Sequence, residues 1–164
     1  MPGRLDLELG IVVEDWRHAV SDVDAIVRNA VCFAWAAAGS EHDAELSVVL
    51  NDDCAVRRLN MEHRGRDRST NVLSFPMGEP MGPDDLLHLG DIVLAFETVT
   101  KEAMRDGKSM EAHLSHLVVH GLLHLLGHDH AAEAEAAEME GAEISILSEL
   151  GYSDPYVALP EAAE

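Results

Sequence analysis

Basic residues, cysteines and aromatic rings are all scarce in this chain of 164 residues, and each shortage counts against a class of function. Only 11 Lys and Arg stand against 31 Asp and Glu, a formal net charge of -20. A field of that sign repels polyanions, so a protein that coats nucleic acid through bulk positive charge is not expected. Two cysteines, Cys32 and Cys54, cannot build a disulfide framework, and neither has a second cysteine at metal-ligand spacing. Three Phe, two Trp and two Tyr leave little surface for stacking bases along a strand. The longest apolar run, Ala30 to Ala38, is far too short to cross a bilayer. The opening segment, Met-Pro-Gly-Arg-Leu-Asp-Leu-Glu, has no apolar core of the signal-peptide kind. A cytoplasmic protein with no membrane contact is expected.

What is present is globular: 47% hydrophobic and 26% charged residues, in a length that suits one domain. Strands are expected over Leu5 to Val13, Leu46 to Leu50, Asn71 to Phe75 and Asp91 to Ala95. Ser21, with Asp24 three residues on, reads as the start of a helix over Val23 to Ala38, stopped by Gly39. Asp52 is placed to cap a helix containing Val56 and Leu59. A third helix ends near Asp106, and two more cover Met110 to Leu126 and roughly Ala131 to Leu150, with Gly151 as terminator. Met77 to Asp85, with two Gly and two Pro, reads as a loop. No repeat or linker divides the chain. The expected fold is α+β, a single domain over residues 1–157 with a small mixed sheet of about four strands and about five helices. Residues 158–164 are expected to form a disordered tail.

Charge is unevenly placed. Arg57, Arg58, Arg64, Arg66 and Arg68 fall within twelve positions, whereas no Lys or Arg follows Lys108. Glu133, Glu135, Glu138, Glu140 and Glu143 are expected to form a solvated helix face. The arginine cluster either receives a phosphate or carboxylate against this acidic background or serves solubility.

Six of the ten histidines lie between His113 and His130. His120 and His124 are four apart on a strongly helical stretch, so their rings leave one face about a turn apart. Gly127 can end that helix in a left-handed conformation and bring His130 back to the same point. The pattern His-x-x-x-His-x-x-Gly-x-x-His offers three imidazoles and an open position, which is what a catalytic zinc needs. Another late transition metal would also fit, whereas magnesium and calcium prefer oxygen. At about 100° per residue, His113, His116, His120 and His124 share an arc roughly 80° wide on a helix otherwise apolar nearly all round. His113 and His116 either support the ligands or touch substrate, or are hydrogen-bonded core histidines. Asp129 either orients a ligand ring or is an exposed turn acid. His128 reads as a turn residue.

The spacing follows the metzincin frame His-Glu-x-x-His-x-x-Gly-x-x-His at every position but one. Gly121 stands where those proteases carry the glutamate that serves as general base. Three histidines still hold zinc and lower the pKa of its water, but peptide hydrolysis by that route lacks its base. A phosphodiester, whose own oxygens can handle protons, fits better. Its transition state gains negative charge and calls for a nearby cation, which the Arg64-Gly65-Arg66 turn can supply.

The segment from His120 to His130, His-Gly-Leu-Leu-His-Leu-Leu-Gly-His-Asp-His, resembles the signature of the YbeY family of rRNA maturation factors. Leu59-Asn60, Arg64-Gly65-Arg66-Asp67 and Thr70 to Pro76 resemble the family's second block, and Leu89 to Ile92, Glu111 to His113 and Gly151-Tyr152 fit as well. The likeness runs over roughly residues 45–156. His128 stands where the family often has Tyr. The resemblance implies a zinc-dependent, single-strand-specific endoribonuclease acting on the 3′ end of 16S rRNA and in ribosome quality control. Its partners would be single-stranded ribosomal RNA, the small ribosomal subunit and its assembly factors. It also implies that His120, His124 and His130 are the metal ligands and that Arg64 contacts the RNA backbone.

In the resulting mechanism His120, His124 and Arg64 are the catalytic residues. His120, His124 and His130 hold one zinc, Arg64 with Arg66 and His116 binds substrate, and His113 and Asp129 support the ligands. No general base can be named; a bound hydroxide, a water chain and His116 are the options. Two competitors stand: a metzincin-like zinc hydrolase or peptidase lacking the glutamate, and a ribosome-assembly factor with a purely structural zinc. Local positive charge on an acidic protein predicts only two or three phosphate contacts, hence a log–log salt slope of about -2 for single-stranded RNA. Titration of RNA binding across salt checks this, and a slope steeper than about -6 would contradict it.

Overall fold

Alternation along Ala44–Asn51 (β2) builds the centre of the sheet: Ala44, Leu46, Val48 and Leu50 are buried on one face, while Glu45 points to solvent on the other. In a computed structural model, which describes residues 1–77, 86–128 and 132–157, β2 lies between Leu5–Ile11 (β1) and Leu87–Ala95 (β4). Val72–Pro76 (β3) adds at the outer edge of β4, giving the order β1-β2-β4-β3. The first three strands run parallel and β3 is antiparallel to β4, so the sheet is mixed, as expected.

Helices cover both faces. Val23–Ala38 (α2) and Met110–Leu125 (α5) pack on the face of Leu46, Val48, Leu50 and Ile92, with Glu133–Glu149 (α6) against α5. Each fully buried Leu or Val in this core contributes about 1.5–3 kcal/mol of transfer free energy. On the opposite face Asp53–Arg64 (α3) sets Val56 and Leu59 on Leu73, Val93 and Ala95. Its start is the one expected: the Asp52 carboxylate accepts from the Ala55 N–H at 2.8 Å. The α+β domain therefore stands, with six helices among the described residues rather than five. The extra one, Asp15–Ala19 (α1), is too short to show a helical period, yet it buries Trp16 against Phe96 at the head of Phe96–Arg105 (α4).

Several boundaries differ from expectation for local reasons. β1 stops at Ile11, and α2 is entered through Asp22 in a left-handed conformation (φ 53°) with no side-chain cap, so the Ser21–Asp24 signature goes unused. β4 begins at Leu87, four residues before Asp91, because Gly90 does not break it. The register against β2 slips between Glu45 and Leu46, and Gly90 absorbs the irregularity at φ 129°. A Cβ there would lie 2.1 Å from the Phe75 carbonyl oxygen on β3. Most of the loop read over Met77 to Asp85 and the tail over 158–164 lie outside the described residues.

Gly90→Ala should therefore cost about 3 kcal/mol, combining backbone strain with a main-chain clash. Urea denaturation of wild type and variant measures the loss.

Candidate metal centre and its cleft

Ser109 starts α5 by accepting from the Ala112 N–H at 3.0 Å. The helix ends as its sequence suggests: Gly127 takes φ 100°, and the His128 N–H closes the last turn on the Leu123 carbonyl at 3.0 Å. His128 thus serves as a turn residue through its backbone. Between these ends α5 buries Leu114, Leu117, Val118, Leu122 and Leu123. At Gly121 it packs tightly on the sheet, since a Cβ there would be 3.0 Å from Ile92 Cγ2 and 3.2 Å from Ser74 Oγ.

The histidine arc divides along its length. His113 is buried, with Nε2 2.9 Å from the Glu102 carboxylate, which also accepts from Asn71 Nδ2 at 2.9 Å. Burial lowers the His113 pKa, although the hydrogen bond to Glu102 pulls it the other way. His116 Nε2 lies 3.3 Å from the Tyr156 hydroxyl, and its ring lines a cavity of about 260 Å³ with Lys108 and Tyr152. It does not line the space occupied by His120 and His124, whose ring centroids are 4.8 Å apart.

Those two rings form one wall of a cleft of about 460 Å³ whose other wall carries Arg64, Asn71 and Ser74. Arg64 closes α3 just before Gly65, which turns at φ 68°. The Arg64 guanidinium donates through Nη2 to the Ser74 carbonyl at 3.1 Å and stands 5.9 Å over the Phe75 ring. β3 thus aims the arginine at the histidine helix. Arg66 and Arg68 line an adjoining groove of about 390 Å³ that shares Arg64 and Asn71 with the first. Arg57 is engaged elsewhere, in a two-pronged pair with Asp67 at 2.7 and 3.1 Å.

One expectation is overturned outright. Glu143 is not part of a solvated face; it is fully buried on the side of α6 that carries Met139, Ile146 and Leu147. One oxygen is hydrogen-bonded to His120 Nδ1, and the other accepts from the Tyr156 hydroxyl. Burial alone would raise its pKa, but donors on His116, His120 and Tyr156 outweigh that and hold it at about 2. Burial and then the Glu143 carboxylate push the Tyr156 phenol far above its usual value, so it remains a donor. Neither residue stood out in the sequence. Glu143 is one of five similar glutamates, and Tyr156 lies beyond the last helix. The only available signal was spacing, because Glu143 falls three and four residues from Ile146 and Leu147.

His116, His120 and Glu143 each offer a ligand atom, all within 4.8 Å of one another, a group that could hold a metal ion. Imidazoles beside a carboxylate suit a late transition metal. His130 and Asp129 lie outside the described residues.

The family model described as Endoribonuclease YbeY matches residues 11–151. The chain belongs to the YbeY family. Its match reaches well before residue 45, where the motif likeness began, and so takes in α2 and all of β2. Relatives named Endoribonuclease YbeY include one from Rhodopseudomonas palustris (strain BisA53), 50% identical over 150 residues, covering 89% of this chain and 87% of its own. Another from Chelativorans sp. (strain BNC1) is 47% identical over 151 residues and covers 92% of both. A solution structure from Thermotoga maritima shares the fold, with a TM-score of 0.54 at 22% identity, covering 93% of this chain and 99% of that one. Among the described residues no helix is long and apolar enough to cross a membrane.

Packing bears on the absence of the metzincin glutamate here: a side chain at Gly121 would press on Ile92 Cγ2 at 3.0 Å and on Ser74 Oγ at 3.2 Å. Gly121→Glu should destabilise the fold by at least about 3 kcal/mol and yield no peptidase activity. Thermal melting with a casein digestion assay tests both.

Proposed function

We propose that this chain is a zinc-dependent endoribonuclease that cuts single-stranded RNA during ribosomal RNA maturation in the cytoplasm, at the 3′ end of 16S rRNA and in ribosome quality control. The observation that carries this reading is the shared cleft: His120 and His124 from α5 face Arg64 from the distant end of α3. It is supported by the name endoribonuclease borne by relatives that are about half identical to it.

In this reading His120, His124 and His130 hold the ion, and the histidine-rich donor set fits zinc or another late transition metal. Zinc supplies Lewis acidity and a bound water of lowered pKa. Arg64, fixed by the Ser74 carbonyl and the Phe75 ring, places its guanidinium against the scissile phosphate and stabilises the charge that develops there. Arg66 and Arg68, in the adjoining groove, take the neighbouring phosphate. No carboxylate lines the histidine cleft among the described residues, which favours a phosphodiester over a peptide, since the phosphate can share in proton handling. His113, tied to Glu102 and through it to Asn71, braces α5 against the start of β3. The small ribosomal subunit and its assembly factors are the partners that present the RNA, because the protein's few aromatic rings give it little hold on bases.

Elemental analysis and ribonuclease assays of wild type, His124→Ala and Arg64→Ala test the assignment. Both substitutions should lower cleavage by about 100-fold or more, and only His124→Ala should lose the metal. Full cleavage by Arg64→Ala would favour a structural metal, and chelator-sensitive casein digestion would favour a peptidase.

A further inference from the structure

A fully buried carboxylate is costly unless its oxygens are satisfied, and an aliphatic residue would pack as well between Met139 and Leu147. Glu143 instead spends one oxygen on His120 Nδ1 and the other on the Tyr156 hydroxyl. Tyr156 is itself held in place. Its N–H donates to Asp154 Oδ1 at 2.8 Å, Lys108 Nζ donates to the adjacent Pro155 carbonyl at 2.8 Å, and the segment leaves α6 through the Tyr152 N–H on the Leu147 carbonyl at 2.8 Å. The His116 ring meets Tyr156 edge-on at 5.4 Å and His120 at 6.2 Å.

We propose that Glu143 and Tyr156 are a positioning pair that fixes the orientation and tautomer of His120, so that its Nε2 coordinates the metal in the Arg64 cleft. The inference rests on the metal centre proposed above. Metal-bound histidines commonly donate their second ring N–H to a carboxylate, which sets the ring angle and strengthens the ligand. With Nδ1 engaged by Glu143, coordination falls to the other nitrogen of the ring. The alternative makes Glu143 itself a ligand together with His116 and His120. That would gather the ion between α5 and α6 and draw Glu143 off His120 Nδ1, and His116 does not line the cleft that holds Arg64.

Chelator competition for zinc on wild type, Glu143→Gln, Tyr156→Phe and His124→Ala, with circular dichroism to verify folding, separates these cases. Cobalt(II) spectra of the same proteins report the ligand set. Glu143→Gln should bind zinc about 10- to 100-fold more weakly, and Tyr156→Phe several-fold more weakly, both with one ion at saturation and a wild-type cobalt spectrum. Tyr156→Phe keeps the ring volume, so it carries the test should Glu143→Gln fail to fold. Wild-type affinity in both variants, with binding lost in His124→Ala, overturns the pair and leaves the metal centre standing. An altered cobalt spectrum in Glu143→Gln overturns positioning in favour of direct ligation. Wild-type affinity in His124→Ala overturns the centre itself.

Discussion

The approach of α5 to the sheet at Gly121 decides where the side chains of the cleft can be. With no side chain at that position, Ile92 and Ser74 come within contact distance of the helix backbone. The neighbouring His120 then stands over the edge of β3, one turn from His124. β3 in turn holds Arg64, because the guanidinium rests on the Ser74 carbonyl and the Phe75 ring. One strand thus touches the histidine helix through the side chain of Ser74 and the arginine through its carbonyl. The same closeness crowds the position at which a metzincin-like helix would carry its glutamate.

Electrostatics follow the same economy. A chain with a net charge of -20 cannot draw RNA in by its overall field. Its positive charge is local instead: Arg64 lines the histidine cleft, with Arg66 and Arg68 in the groove beside it. Most acids stay in solvent, but two do structural work inside. Glu102 joins Asn71 to His113, and Glu143 joins Tyr156 to His120. Each ties a histidine of α5 to a different part of the fold, and two such ties at different heights limit how far the helix can slide or turn.

Much of this was legible in order along the chain. The four strands, the capped α3 and the histidine helix with its glycine stop all follow from period, cap and turn chemistry, which are local properties. The failures were also local. α1 is too short to show a period, the Ser21 signature competes with a left-handed Asp22, and the strand expected from Asp91 begins at Leu87, with Gly90 absorbing a register slip. The glutamates of α6 show where local reading weakens, because only its spacing to Ile146 and Leu147 separates Glu143 from Glu140.

By itself the sequence determined the elements and the donor types: a helix with histidines one turn apart, an arginine turn, and no base at position 121. These depend on neighbours within a few residues, which any window of the chain contains. Only the tertiary structure decided that Arg64 faces His120 across one cleft, that His116 turns away from it, and that Glu143 is buried. Those facts depend on which surfaces pack together, and packing pairs residues by shape and by the need to satisfy buried polar atoms, over separations that no local pattern records.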